Sequence, residues 1–346
     1  MIKRTRQRGM TLVELMVALT LGLFLIAGVI NVFLANKEAS QVETALARLQ
    51  ENGRIALDML VSDLRDAYYI GCGSRARFID VMATGVDWEG MQGWERQSGG
   101  WSPGLPAALN TAIGGSARIG SDVLYLAHGR RLQAQTSADV TRLSTSVPLS
   151  SNTECISNGE TVIMSTCSHA SLFRVTNTPA CDGSATSFHF SLSGNSRSNL
   201  QVEYPAGTEL FQAFEKLWYV RDTGRERTGL DIPVYGLYRR TNGQEEEMVE
   251  GVEYLQVLYG HKPDADSTRF VPAGDSDLDF SSDDIVAVRI ALLIQSFELV
   301  LDAPDTLDYA VLDESIGSTG TTYSHNGDRT LRRVFQTTVL MKNPSI

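Results

Sequence analysis

The chain has 346 residues, enough for one large domain or two small ones. Its 42% hydrophobic and 21% charged residues are ordinary globular composition, which excludes wholesale disorder. A net charge of −11 argues against nucleic-acid phosphates and anionic lipid as partners of the folded part.

The first nine residues carry Lys3, Arg4, Arg6 and Arg8 and no acid. A hydrophobic run follows from Met10 to about Leu34. Its length of about 25 residues suffices to span a bilayer. The Lys/Arg bias puts the N-terminus in the cytoplasm. An ordinary secretory signal has its small-residue cleavage site after the apolar core. Here the candidate glycine, Gly9, comes before it, and Leu34-Ala35-Asn36-Lys37 is a weak site. A plain anchor leaves Glu14 unexplained, because a carboxylate inside hydrocarbon is costly and marks function by default.

Lys3 to Gly9 followed by Met10-Thr11-Leu12-Val13-Glu14-Leu15-Met16-Val17-Ala18-Leu19 resembles the class III leader of type IV pilins and pseudopilins. The resemblance implies cleavage by a prepilin peptidase between Gly9 and Met10 and methylation of the new amine of Met10. It also implies that Glu14 pairs with the terminal amine of a neighbouring subunit. Met10 stands where that family usually has Phe.

Helical spacing continues beyond the anchor. Val42, Leu46, Leu49, Gly53, Ala56, Leu60, Leu64 and Ala67 recur at threes and fours, opposite Glu38, Gln41, Arg48, Glu51, Arg54 and Asp58. Gly71-Cys72-Gly73 is the breaker. One helix from Met10 to near Tyr68 is therefore expected, about 80 Å long. Gly22, Gly28 and Gly53 are candidate bends within it, each costing about 1 kcal/mol relative to Ala.

From Gly71 the pattern is β-like. Residues 85–120, with Trp88, Trp94 and Trp101 among many glycines, read as a long loop or insertion. Its indoles are expected to plug the loop onto its own sheet, a binding surface being the alternative. Strands are expected at Asp122–Ala127, Thr161–Ser165, Leu172–Thr176, Ser187–Leu192 and Glu209–Arg221. Pro233–Arg240 and Met248–Val249 read as a hairpin around Asn242-Gly243. Glu253–Tyr259, Ile285–Gln295 and Thr330–Met341 complete the set. In Ile285–Gln295 the residues Val286, Val288, Ile290, Leu292 and Ile294 share one face. The fold class is α+β, a long helix on an antiparallel sheet head.

Further segments resemble PilW-type minor pilins: Glu51–Leu60, Asp63–Cys72, Gly120–Leu124, Cys167–Val175, Gly236–Arg240, Glu250–Gly260 and Leu331–Phe335. A more distant similarity extends to J-type minor pseudopilins of type II secretion. Four cysteines on the exported side favour disulfides, and their number alone allows three connectivities. The resemblance implies Cys72 with Cys167, which leaves Cys155 with Cys181.

No motif of enzymatic chemistry stands out. There is no P-loop, dinucleotide fingerprint or G-x-S-x-G. His128, His169, His189, His261 and His325 fall at no metal-ligand spacing and read as surface or strand residues. The acidic loop 264–284 lacks EF-hand order and is expected to be solvated, with Asp275, Asp277 and Asp279 as its calcium candidates. Glu245-Glu246-Glu247 reads as a solvated tip. Neither an enzymatic activity nor a cofactor is expected.

The domain organisation read from these features is a leader over 1–9, a membrane or fibre-core helix over 10–34, its amphipathic continuation over 35–70, and a β-rich head over 71–346. The resemblance implies a minor pilin of type IV pilus assembly, acting at or near the tip. Its implied partners are other minor and major pilins, the prepilin peptidase, the inner membrane and its assembly machinery. It implies an inner-membrane precursor with a periplasmic head, then a place in the fibre of a Gram-negative bacterium. The alternatives are a secretion pseudopilin and a membrane-anchored adhesin.

Overall fold

The computed structural model describes residues 10–72, 78–83, 88, 90–226, 232–264, 267–280, 285–317 and 323–342. A single helix, α1 (Leu12–Asp66), opens the fold. It is followed by β1 (Phe78–Val81), β2 (Met91–Gln97), β3 (Gly100–Ser102), α2 (Ala107–Ile113), β4 (Asp122–Gln135), β5 (Ser146–Leu149), β6 (Thr161–Ser165), β7 (His169–Arg174), β8 (Thr186–His189) and β9 (Glu209–Glu226). The second half holds β10 (Pro233–Thr241), β11 (Gln244–Glu250), β12 (Val252–Asp264), β13 (Ser267–Val271), β14 (Ile285–Leu299), β15 (Tyr309–Val311), β16 (Glu314–Gly317), β17 (Tyr323–Ser324) and β18 (Thr330–Leu340).

Thr11 caps the start of α1, its hydroxyl accepting from the Glu14 amide at 3.2 Å. The helix ends because Ala67 turns extended and Tyr68 is left-handed, with φ 62°. The freed Tyr68 amide donates to the Ala127 carbonyl of β4 at 3.0 Å, so the helix end is tied to the sheet at once.

Two main sheets face the helix. The larger has the order β1-β7-β6-β9-β4-β2-β3, with β10 and β11 added beyond β9. The other runs β13-β12-β14-β18 and is antiparallel throughout. Between them Leu49, Ala56, Leu60 and Leu64 of α1 meet Trp218, Val220 and Leu237 of one sheet and Leu255, Ile290 and Leu292 of the other. Each fully buried Leu, Ile or Val among them stabilises by about 1.5–3 kcal/mol. The outer face of β14 is buried as well, where Ala291 and Leu293 meet Val311 and Ile316. That double burial explains why Ile290–Ile294 is apolar at every position. Val288, Ile290, Leu292 and Ile294 share its inner face as expected, while Val286 is only half-buried.

Gly53 is a contact and not a bend. A Cβ there would lie 2.7 Å from atoms of the Phe335 ring, so only glycine lets α1 approach β18 this closely. Gly22 and Gly28 have nothing within 4 Å.

Residues 85–120 differ from the expected loop. The segment contains β2 and β3, an antiparallel pair, and the short helix α2. β2 enters the larger sheet beside β4, with Trp94 opposite Val123. Glycine and tryptophan composition read as loop, but the register turns Trp94 into a core shared with Phe211 and Leu217. The expected hairpin is present, and Asn242 and Gly243 both have positive φ, as a tight turn matched to strand twist requires.

Of the three glutamates expected at a solvated tip, Glu246 is exposed, but Glu245 and Glu247 are held in ion pairs. They lie on β11, where Glu245 meets Arg221 and Tyr219, and Glu247 pairs with Arg225 at 2.5 Å. The cations come from β9, two strands away, and are out of sight in the local sequence. Two disulfides, Cys72–Cys167 and Cys155–Cys181, close 95 and 26 residues of chain.

Candidate assembly interface

The described chain begins at Met10; Gly9 and the leader lie outside the described residues. From Met10 to Leu34 no side chain is buried, with Leu12 73% and Phe24 77% exposed. This part of α1 is long and apolar enough to cross a membrane. Apolar surface on every side of a helix requires lipid or other apolar helices around it. Glu14, in the first turn, is exposed among these residues and stands where the free amides of the helix N-terminus favour a carboxylate.

The other end of α1 is fixed to the head by a polar joint. Asp63 is buried and accepts from Lys216 Nζ at 2.6 Å and from Trp218 Nε1 at 3.0 Å. Arg239 approaches the same carboxylate at 3.7 Å. All three partners come from β9 and β10, so one helix residue is held by two strands. Beyond the helix end, the Cys72–Cys167 bond joins it to the segment just before β7.

A second polar hub pins the loops outside β14 and β18. The buried guanidinium of Arg332 donates to Glu253 at 2.7 Å and to Asp305 at 3.1 Å, and meets Asp328 at 3.0 Å. Burial alone would lower its pKa, but Glu253, Asp328 and Asp305 raise it, so the arginine stays charged. A buried charge of this kind is sustained only by such partners.

Four carboxylates gather where β2, β4 and the β15–β16 turn converge. Burial raises the pKa of Glu95, Asp122, Asp313 and Glu314, and their mutual repulsion adds to it for Glu95, Asp122 and Glu314. Asp122 is the most strongly affected; it accepts from the Val257 amide at 2.7 Å, bonding the two main sheets to one another.

The remaining candidates fall into structural roles. Trp88 and Trp94 are buried, and Trp101 is half-buried beneath Arg96, whose guanidinium lies 5.0 Å from its ring. In the acidic loop, Asp275 and Asp277 hold the guanidinium of Arg269, at 3.4 and 2.6 Å. Asp279 is exposed, residues 265–266 and 281–284 lie outside the described residues, and β13 occupies the first part of the segment expected to be loop. Among the described residues no three His, Cys, Asp or Glu side chains gather as a metal site. His261 lies on β12, a strand position as expected, and is buried; His325 is buried outside any strand, unlike the surface or strand position expected of it. His128 packs on Phe214, and burial together with Lys216 lowers its pKa to about 4.

Residues 4–30 match the family model of the prokaryotic N-terminal methylation motif. Residues 218–343 match that of the type IV pilus-assembly protein W. Over these segments the chain is similar to PilW-type minor pilins. Both matches support involvement in type IV pilus assembly, and the N-terminal motif together with the apolar helix supports membrane anchoring and pilus association. A search of curated proteins found no match.

The PilW match runs from Trp218 to β18 and so includes two partners of Asp63, the second main sheet and the whole Arg332 hub. Neither hub was found by sequence reasoning. The available signals were a carboxylate at Asp63 three positions from Leu60 on the apolar stripe, and Glu253 inside an apolar strand.

Proposed function

We propose that this chain is a PilW-type minor pilin, made as a membrane-anchored precursor and cut by the prepilin peptidase between Gly9 and Met10. Residues 1–9 are then the leader, 10–34 the membrane and fibre-core helix, 35–70 its continuation and 71–346 the head. The new amine of Met10 is methylated. The head faces the periplasm of a Gram-negative cell, and the subunit joins other minor and major pilins in the complex that initiates the pilus, at or near its tip.

The observation that carries this reading is a wholly exposed apolar helix with one carboxylate, Glu14, in its first turn. Moving such a helix from lipid into an apolar fibre core changes its surroundings little. The gain comes from converting an isolated intramembrane carboxylate into one paired with the amine of a neighbour. Glu14→Ala is therefore expected to leave processing intact and to exclude the chain from sheared pili. Wild-type incorporation of that variant would remove the role assigned to Glu14, while a mature chain that starts at a residue other than Met10 would show the cleavage site to be elsewhere.

A further inference from the structure

β18 is the outermost strand of the four-stranded sheet, and its one strand partner is β14. Along such a strand the direction of main-chain bonding alternates. The Leu331 and Met341 amides turn toward β14, donating to the Ser296 hydroxyl and the Val286 carbonyl at 2.9 Å each. The odd-numbered residues between them face β14 in the same way, from Arg333 opposite Ile294 to Val339 opposite Val288. The even-numbered residues therefore aim their N–H and C=O groups at the open edge. Of these, Gln336, Thr338 and Leu340 are exposed, and among the described residues their main-chain groups have no hydrogen-bond partner.

An open strand edge is a template for another strand, and proteins blunt it with charge, bulges or short length. The other outermost strands are blunted in these ways. β3 has three residues and β1 four. β11 carries Glu245, Glu246 and Glu247 and is bulged opposite Leu237 and Tyr238. β13 has five residues with Arg269 at its centre. β18 has none of these devices: Val334 to Leu340 holds no charge and no proline and keeps unbroken register with β14. On the outer face beside this edge, Gln336 and Thr338 line a groove of about 730 Å³ with Leu258, Arg289 and Leu312. Cations bound the uncharged stretch. Arg333 and Lys342 are exposed, and neither has a carboxylate partner among the described residues.

We infer that the open edge of β18 accepts an added strand: an extended, uncharged segment of a different protein chain, flanked by an acidic residue. The alternate main-chain groups of such a segment match those of Gln336, Thr338 and Leu340. Its outer-face side chains lie along the groove, and the flanking carboxylate meets Arg333 or Lys342. A second copy of this chain fits less well. Antiparallel pairing about Thr337 would set Arg333 of each copy opposite Met341, and so beside Lys342, of the other, and each copy carries a net charge of −11. The site lies on the head and does not involve the exposed part of α1.

The test uses the purified full chain in detergent and a synthetic peptide of alternating valine and threonine, with a glutamate at each end and both termini blocked. Residue-resolved hydrogen exchange reads the edge. The Gln336, Thr338 and Leu340 amides are expected to exchange freely in the dilute chain alone and at least tenfold more slowly with the peptide. The Phe335, Thr337 and Val339 amides should be slow in both. The same peptide N-methylated throughout should give no protection, and lysine in place of its glutamates should weaken binding at least fivefold. Gln336→Pro removes one outward N–H and no bond to β14, and should abolish protection at an unchanged thermal midpoint; if that variant unfolds, the N-methylated peptide, which leaves the protein untouched, decides alone. Slow exchange of the edge amides in the dilute chain, or equal exchange with and without the peptide, overturns the added strand. Protection by the N-methylated peptide overturns main-chain recognition, and equal binding of the lysine peptide overturns the acidic flank. Protection that grows with protein concentration alone, with dimers in sedimentation, overturns the different chain and makes a second copy the occupant.

Discussion

Replacing Asp63 with alanine is expected to weaken the attachment of α1 to the head by about 3–5 kcal/mol, the usual consequence of breaking a buried ion pair from one side. The substitution leaves the Lys216 ammonium, 13% exposed, without the carboxylate 2.6 Å away. It also strands the Trp218 indole N–H, worth about 1–3 kcal/mol if left unpaired. The two losses share one carboxylate and do not add. For a head of this size the thermal midpoint should fall by roughly 10 °C, at about 2–4 °C per kcal/mol. The assay is thermal and urea unfolding of the full chain in detergent micelles, followed by tryptophan fluorescence, to which Trp218 itself contributes. Lys216→Met in the Asp63→Ala background should recover a large part of the loss by removing the orphaned charge. The Arg48–Glu298 pair, with side chains 65% and 40% exposed, is the control, and its removal should cost at most about 1 kcal/mol. A loss below about 1 kcal/mol for Asp63→Ala, or no recovery in the double variant, would refute the joint.

Two further outcomes are expected. Gly53→Ala should destabilise by about 1 kcal/mol net, since overpacking against Phe335 outweighs the gain in helix propensity; an increase in stability would mean that the ring moves aside freely. The pH dependence should have two opposed parts. His128, at about 4 when folded and 6.5 when free, favours the folded state above about pH 6.5 and loses that contribution as pH falls toward 4. The raised carboxylates Glu95, Asp122, Asp313 and Glu314 act in the other direction: their contribution is fully present below their free values of 3.8 and 4.5 and is lost as pH rises through the folded values. His128→Phe should therefore flatten the loss on acidification, and Asp122→Asn should raise stability at neutral pH; urea midpoints from pH 4 to 8 measure both, and parallel curves for all three proteins would contradict the assignment.

Features that depend on neighbours along the chain were legible beforehand. The stripe from Leu49 to Leu64 appeared at helical spacing because one helix face is buried. Thr161–Ser165 and the start of β9 at Glu209 were read at their observed positions because burial on a strand leaves its own pattern. Glu245 to Glu247 looked solvated because their cations, Arg221 and Arg225, reach them from a different strand. Asp63 and Lys216 lie 153 positions apart, and no local pattern couples them. Trp94 was hidden by its glycine neighbours, although Gly93 is glycine for its own reason, the Tyr259 phenol filling the space a Cβ would need.

The helix between anchor and head adds a mechanical property. From Ala35 to Thr44 only Val42 is even half-buried, so about ten residues, or roughly 15 Å, of bare rod separate the apolar segment from the first buried turn. Asp63 and Gly53 lock the rotation of α1 against the head, and an unbroken helix carries that setting down to Glu14. The compass bearing of Glu14 is thereby indexed to the faces of the head. A neighbour that docks on the anchor meets a head already turned to one azimuth and lifted clear of the lipid, as a key's bit is set by its shank.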